Sequence, residues 1–139
     1  MRYVLDSCVG FKWFLQEQDS DKAVRIRDDF RTGVHELLAH DVFPVEVTHS
    51  LTRAERQRRI TPVEGFIRLQ DMFTTLPDLH AYLPLLPRAY QISSGAQVGV
   101  YDCLYVALAE REGCELLTSD DRLVRSLPGY PIVPLSAFP

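Results

Sequence analysis

The chain has 139 residues, about the size of one domain, so a two-domain enzyme is not expected. Its 46% hydrophobic and 24% charged residues are those of an ordinary globular protein, and a chain of this length buries roughly 68% of its unfolded surface without needing a staple. Fifteen Lys and Arg against nineteen Asp and Glu leave a net charge of −4. That excludes the basic excess of a non-specific nucleic-acid binder, so any nucleic-acid role must rest on local features.

Cys8, Cys103 and Cys114 are an odd number without a C-x-x-C pair, which fits neither a disulfide framework nor a zinc knuckle and points to a reduced, cytoplasmic protein. Residues 1–6 carry too few apolar positions before Asp6 for a signal peptide. No run of eighteen apolar residues occurs, so no membrane span is expected.

No repeat or low-complexity linker divides the chain, and residues 1–139 are read as one unit. Residues 2–6 (RYVLD) form a β-branched and aromatic run, after which Ser7 is placed to cap a helix reaching about Gln16. From Ser20 to Arg31, Ala23, Val24, Ile26 and Phe30 fall near helical spacing, with Gly33 where a helix terminates. Glu36 to His40 reads as a strand, and Pro44 opens a helix in which Val45, Thr48, Leu51, Thr52 and Glu55 share a face. Thr61-Pro62-Val63-Glu64 is a capping box introducing a helix with Phe66, Ile67, Leu69 and Phe73. Asp78 to Tyr82 is a strand, and Leu85 to Gln97 a helix with Pro87 in its first turn. Tyr101 to Arg111 is a helix stopped at Gly113, Glu115 to Thr118 a buried strand, Asp120 to Leu127 a short helix, and Pro131 to Pro134 a last strand. The alternation predicts an α/β three-layer sandwich with a mainly parallel, about five-stranded sheet.

In such sheets, sites form outside the carboxyl ends of the strands. Asp6 closes the first strand and Asp120 follows the one ending at Thr118, while Glu46 and Asp102 fall in first helical turns. Each acid has a plain structural reading: helix-dipole complement for Glu46 and Asp102, helix cap for Asp120, sheet-end polarity for Asp6. A strand-end acid with a hydroxyl beside it occurs twice, however, in Asp6-Ser7 and in Thr118-Ser119-Asp120. Crowded carboxylates need compensating cations, and oxygen-only ligands select Mg²⁺ or Mn²⁺, which polarise phosphodiesters and activate water.

Leu5-Asp6-Ser7, Pro44-Val45-Glu46, Tyr101-Asp102-Cys103 and Leu117-Thr118-Ser119-Asp120, in this order across nearly the whole chain, resemble the four motifs of the PIN domain, and in particular the VapC-type toxins of toxin–antitoxin pairs. The resemblance implies a metal-dependent endoribonuclease in which Asp6, Glu46, Asp102 and Asp120 ligate Mg²⁺ or Mn²⁺ and cleave RNA, with Ser7 and Thr118 in support. Asp121 ranks second to Asp120, as a helix-start acid. The resemblance also implies a homodimer and a cognate antitoxin.

Among other residues, His35, His40, His49 and His80 form no metal-binding pair, and Cys8, with acidic neighbours, reads as packing. Arg53, Arg56, Arg58 and Arg59 form either a solvated helix end or an RNA phosphate rim. Phe11, Trp13 and Phe14 crowd one helix: either all are core or one or two line a partner groove. Two rival functions remain. A receiver-like signalling domain needs a lysine after the last strand, yet the only lysines are Lys12 and Lys22. A catalytically silent PIN module used only for binding is disfavoured by its intact acids.

Overall fold

The computed structural model describes residues 1–139. Five strands, β1 (Arg2–Leu5), β2 (Glu36–His40), β3 (Asp78–His80), β4 (Glu115–Thr118) and β5 (Ile132–Pro134), form one sheet in the order β3-β2-β1-β4-β5. All neighbours run parallel. The helices are α1 (Ser7–Phe11), α2 (Ser20–Arg31), α3 (Phe43–Arg56), α4 (Pro62–Met72), α5 (Leu86–Ala96), α6 (Val100–Glu112) and α7 (Asp121–Ser126). Right-handed crossovers put α1–α4 on one face and α5–α7 on the other, in line with the packing of α1 on α3, α3 on α4 and α5 on α6. This is the expected three-layer α/β sandwich.

Parallel strands sandwiched on both faces have no wet side, so β1, β2 and β4 are apolar in unbroken runs, with Val4, Leu5, Leu37, Leu38, Leu116 and Leu117 fully buried. Helix α6 lies across β1, β2 and β4 and is buried all round, from Cys103 through Ala109. The capping box at Thr61 and Glu64 is formed in both directions. Gly33 takes the left-handed conformation that ends α2, φ +81°, a backbone angle favouring glycine.

Several elements depart from expectation. Helix α1 ends at Phe11, not Gln16, and its cap is Asp6 rather than Ser7: the Asp6 carboxylate accepts the Cys8 N–H. Phe11, Trp13, Phe14 and Leu15 are all buried, and four of five successive residues cannot share one helical stripe, so the chain turns there. The Trp13 indole donates to the Ala23 carbonyl at 2.8 Å. No partner groove forms from these aromatics; all three are core. In α3 the buried face is Phe43, Val47, Leu51 and Ala54, one position out of phase with that expected, and Val45 faces water. Strand β3 stops at His80, and a 3₁₀ turn at Leu83–Leu85 precedes α5.

The largest surprise is α4. It packs on α3 through its opposite side and buries only Gly65 and Met72, leaving Val63, Phe66, Ile67 and Phe73 at least half exposed. These four fall on one stripe, an apolar face of the kind that marks an interaction surface.

Gly10 sits where α1 crosses α3, and a Cβ there would meet Phe43 Cζ at 2.6 Å. Because the Phe43 ring is fully buried, Gly10→Ala should lower unfolding free energy by ~1–3 kcal/mol through overpacking. A mid-helix Gly→Ala change otherwise stabilises by up to ~1 kcal/mol, so a denaturant titration distinguishes the two by sign.

Candidate active site

The order β3-β2-β1-β4-β5 reverses direction at β1, and helices antiparallel to the strands point their N-termini to the carboxyl edge of the sheet. Asp6 leaves β1, Thr118 ends β4, Asp120 caps α7, and Glu46 and Asp102 lie in the first turns of α3 and α6. Topology alone therefore collects all four acids at one edge. They are close enough to repel one another: Asp6 feels Asp120, Glu46 feels Asp6 and Asp102, and Asp102 feels Asp6 and Asp120.

Asp6 is the fixed point. It is 4% exposed, and its carboxylate accepts from the Thr118 hydroxyl at 2.8 Å and the Cys8 N–H at 3.2 Å, with the Ser7 hydroxyl at 3.5 Å. Thr118 in turn accepts the Asp120 N–H at 3.0 Å. The Cys8 sulfur accepts the Ser119 N–H and touches the Thr118 hydroxyl, so it ties α1 to the end of β4. Burial and the Asp6 charge push the thiol far up, which leaves it no nucleophilic role. One oxygen of Asp120 receives the N–H groups of Arg122 and Leu123, so this acid caps α7 and keeps its other oxygen free. Asp121 is exposed one residue beyond it.

Charge in this cleft is poorly compensated. Burial, despite the opposing hydrogen bonds, raises Asp6 above the usual carboxylate range. Burial, then the neighbouring acids, raise Glu46 to about 7 against the hydrogen bond from Tyr105. Asp102 rises to about 6 from burial and the charges of Asp6 and Asp120. No arginine or lysine is among the causes acting on the three, the condition under which a cation is favoured. As folded, no three His, Cys, Asp or Glu side chains stand together as a ready-made cage. The chemistry of the acids, carboxylates with hydroxyls and no thiolate or imidazole ligand, fits a hard divalent ion.

Two groups near Glu46 carried no sequence signal. The hydroxyl of Tyr105, a fully buried residue of α6, donates to Glu46 Oε1. His40, fully buried at the end of β2, stacks on Tyr105 with ring centres 3.9 Å apart and accepts the Val42 N–H at Nδ1. Its Nε2 has no hydrogen-bond partner, although Glu46 Oε1 lies 3.7 Å away. Burial lowers His40 to about 4, so it stays neutral. A third group, Arg122, lines a 150 Å³ cleft with Asp102 and Asp120; its place two residues after Asp120 was the available hint. Arg53 and Arg56 are exposed in the last turns of α3, about 10 Å and about 15 Å along the helix from Glu46, Arg58 and Arg59 are exposed just beyond it, and Arg59 pairs with Glu17 at 3.1 Å. The fold does not bring them to the acids.

A doubly wound parallel sheet with carboxylates gathered at its switch point, where such folds place their ligand sites, defines an acidic α/β domain. A PIN domain profile matches residues 3–126, and the chain belongs to the PIN domain family. Ribonuclease VapC3 of Pyrobaculum aerophilum is 29% identical over 130 residues, covering 92% of this chain and 96% of that protein. Ribonuclease VapC3 of Mycobacterium tuberculosis is 33% identical over 125 residues, covering 90% and 87%. Among solved structures, PAE2754 from Pyrobaculum aerophilum superposes with TM-score 0.71 at 17% identity, covering 98% of this chain and 90% of that one. VapBC2 from Rickettsia felis, bound to a DNA fragment from their promoter, matches with TM-score 0.68 at 11% identity, covering 96% and 98%. These two likenesses establish the shared fold.

The raised carboxylates make stability depend on pH. Glu46 ionises near its ordinary 4.5 when unfolded but near 7 when folded, so the folded state holds a proton that the unfolded state has released. Its contribution is complete below about pH 4.5 and is lost as pH rises through about 7. Without divalent ions, melting temperature should therefore fall from pH 5 to pH 8, and Glu46→Gln should flatten that slope. Calorimetry in EDTA across this range checks both; an equal slope in the variant would refute the assignment to Glu46.

Proposed function

We propose that this chain is a divalent-metal-dependent endoribonuclease and the toxin of a VapBC-type toxin–antitoxin pair, acting as one PIN unit over residues 1–139. The observation that carries the reading is the uncompensated cluster of Asp6, Glu46, Asp102 and Asp120 at the switch point of a PIN fold, together with relatives named as ribonucleases over nearly the whole chain.

In this reading the four acids hold Mg²⁺ or Mn²⁺, and Ser7 and Thr118 support them. When bound, the ion polarises the scissile phosphodiester and lowers the pKa of water. The protein's own part is orientation. Thr118 and the Cys8 N–H fix Asp6 against rotation, and the Thr118 hydroxyl links it to the Asp120 backbone. Tyr105 sets the direction of Glu46. Asp102 is held by neither: no hydrogen bond opposes its raised pKa, which leaves both its oxygens free for a ligand. Asp121 stands in reserve as a helix-start acid, and Arg122 is better placed than the α3 arginines to meet a phosphate beside Asp102 and Asp120. Arg53, Arg56, Arg58 and Arg59 would touch RNA only well away from the cut.

The partners follow from the same reading. No helix is long and apolar enough to cross a membrane, and an RNA substrate sets the work in the cytoplasm. The exposed face of α4 (Val63, Phe66, Ile67, Phe73) is the surface best suited to a second copy of the chain or to an antitoxin. Sedimentation at micromolar concentration should give a homodimer, and Ile67→Asp should shift it toward monomer if α4 carries the contact.

Asp102→Asn keeps shape while removing one ligand charge. RNA cleavage in Mg²⁺ should fall at least a hundredfold, while metal-free stability stays level or rises through relief of repulsion. Wild-type unfolding free energy should rise with Mg²⁺, by ~2.7 kcal/mol at a hundredfold excess over Kd, with a matching rise in melting temperature, and that gain should shrink in the variant. Cleavage at the wild-type rate by Asp102→Asn, or its failure to fold, would make this carboxylate structural and overturn the nuclease reading.

A further inference from the structure

Beyond Glu46 a separate cavity of about 430 Å³ opens, walled by Val42, Val45, His49, Ser50 and Tyr101. Ser7 and Glu46 form the boundary it shares with the acids. The cleft between Asp102 and Asp120 is much smaller, 150 Å³, enough for an ion or phosphate oxygens. The larger cavity has room for a planar ring and its sugar.

Its chemistry differs too. Tyr101 is 58% and Val45 65% exposed, large apolar groups facing water beside a charged site, with no core role. Each is the chain neighbour of a carboxylate, Val45 of Glu46 and Tyr101 of Asp102. Two helix starts therefore present an acid and an apolar group side by side, and the two apolar groups border the same cavity. His49, one turn along α3 from Val45, and Ser50 add hydrogen-bonding groups at the wall.

Resting on the nuclease reading, we infer that this cavity receives one unpaired nucleobase of the RNA, adjacent to the phosphate at the acids. The base stacks on Tyr101 and lies against Val45, and His49 and Ser50 face its edge. Aromatic stacking of splayed bases is the common means of gripping single-stranded RNA, and a base held inside a duplex cannot enter such a pocket. The site thus selects unpaired RNA at the nucleotide beside the cut.

The test uses a single-stranded oligoribonucleotide that the full-length protein cleaves in Mg²⁺, the same sequence as a duplex, and versions with an abasic residue on either side of the cleaved bond. Tyr101→Ala, at an exposed position, should raise KM on the order of tenfold to a hundredfold with little change in kcat. Tyr101→Phe, which keeps the ring, should behave as wild type. For the wild type, one of the two abasic substrates should cost a similar factor in KM and the duplex should resist cleavage; for Tyr101→Ala that abasic substrate should cost nothing further. An unchanged KM in Tyr101→Ala, or equal abasic penalties in both proteins, overturns the base pocket while Asp102-dependent cleavage stands. Loosening of a protein partner by Tyr101→Ala with RNA kinetics untouched would likewise overturn it. If wild type and Asp102→Asn degrade no RNA differently in Mg²⁺ or Mn²⁺, the nuclease reading itself fails. The abasic series on wild-type protein decides the matter even if a variant misfolds.

Discussion

A single buried carboxylate organises this end of the molecule. Asp6 sits at the exit of the central strand, where apolar layers on both faces exclude water. Burial there is tolerable only with hydrogen bonds to its oxygens, and the partners come from both sides of the β1–β4 seam: Cys8 N–H from α1 and the Thr118 hydroxyl from β4. One group thus caps a helix, joins two adjacent strands and points the edge of the sheet toward its other acids. The positions of α1, α7 and Asp120 all depend on this junction, through the Thr118–Asp120 and Cys8–Ser119 contacts.

Around that fixed point the remaining acids differ in how firmly they are held. Asp120 is half committed to capping α7, Glu46 is steered by Tyr105, and Asp102 is held by no hydrogen bond. Each carboxylate oxygen has two lone pairs, so even the hydrogen-bonded acids keep acceptor capacity while their bonds set their direction. Mutual repulsion of these acids lowers the stability of the fold, and a cation that relieved it would raise that stability. Binding strength and fold stability are therefore two readings of one electrostatic imbalance.

The two faces of the sandwich serve different ends. Helix α6 is buried on every side from Cys103 through Ala109, and it carries Tyr105 within that stretch and Asp102 just before it. Helix α4 is apolar on two sides but packs with only one, so it keeps an apolar face exposed to water.

Strand and helix order was readable from sequence because the parallel sheet's apolar runs, the capping box at Thr61 and the stop at Gly33 are local signals, each set within a few residues. The four acids were readable as candidates for a related reason: in a β-α alternation, strand ends and helix starts fall at one edge whatever the details, so Asp6, Glu46, Asp102 and Asp120 are collected by topology. What lay beyond sequence was phase and pairing. Whether Val45 or Val47 faces inward on α3, whether Phe66 packs or protrudes, and where α1 yields to a turn under crowded aromatics depend on which surfaces a neighbouring element has already covered. Likewise nothing local joins Tyr105 and His40 to Glu46, because a mid-helix tyrosine and a strand-end histidine acquire that role only when α6 is laid across β2. Sequence alone determined which residues reach the edge of the sheet; only tertiary packing, by excluding water from some of them and leaving others wet, decided their protonation, their orientation and the cavity beside them.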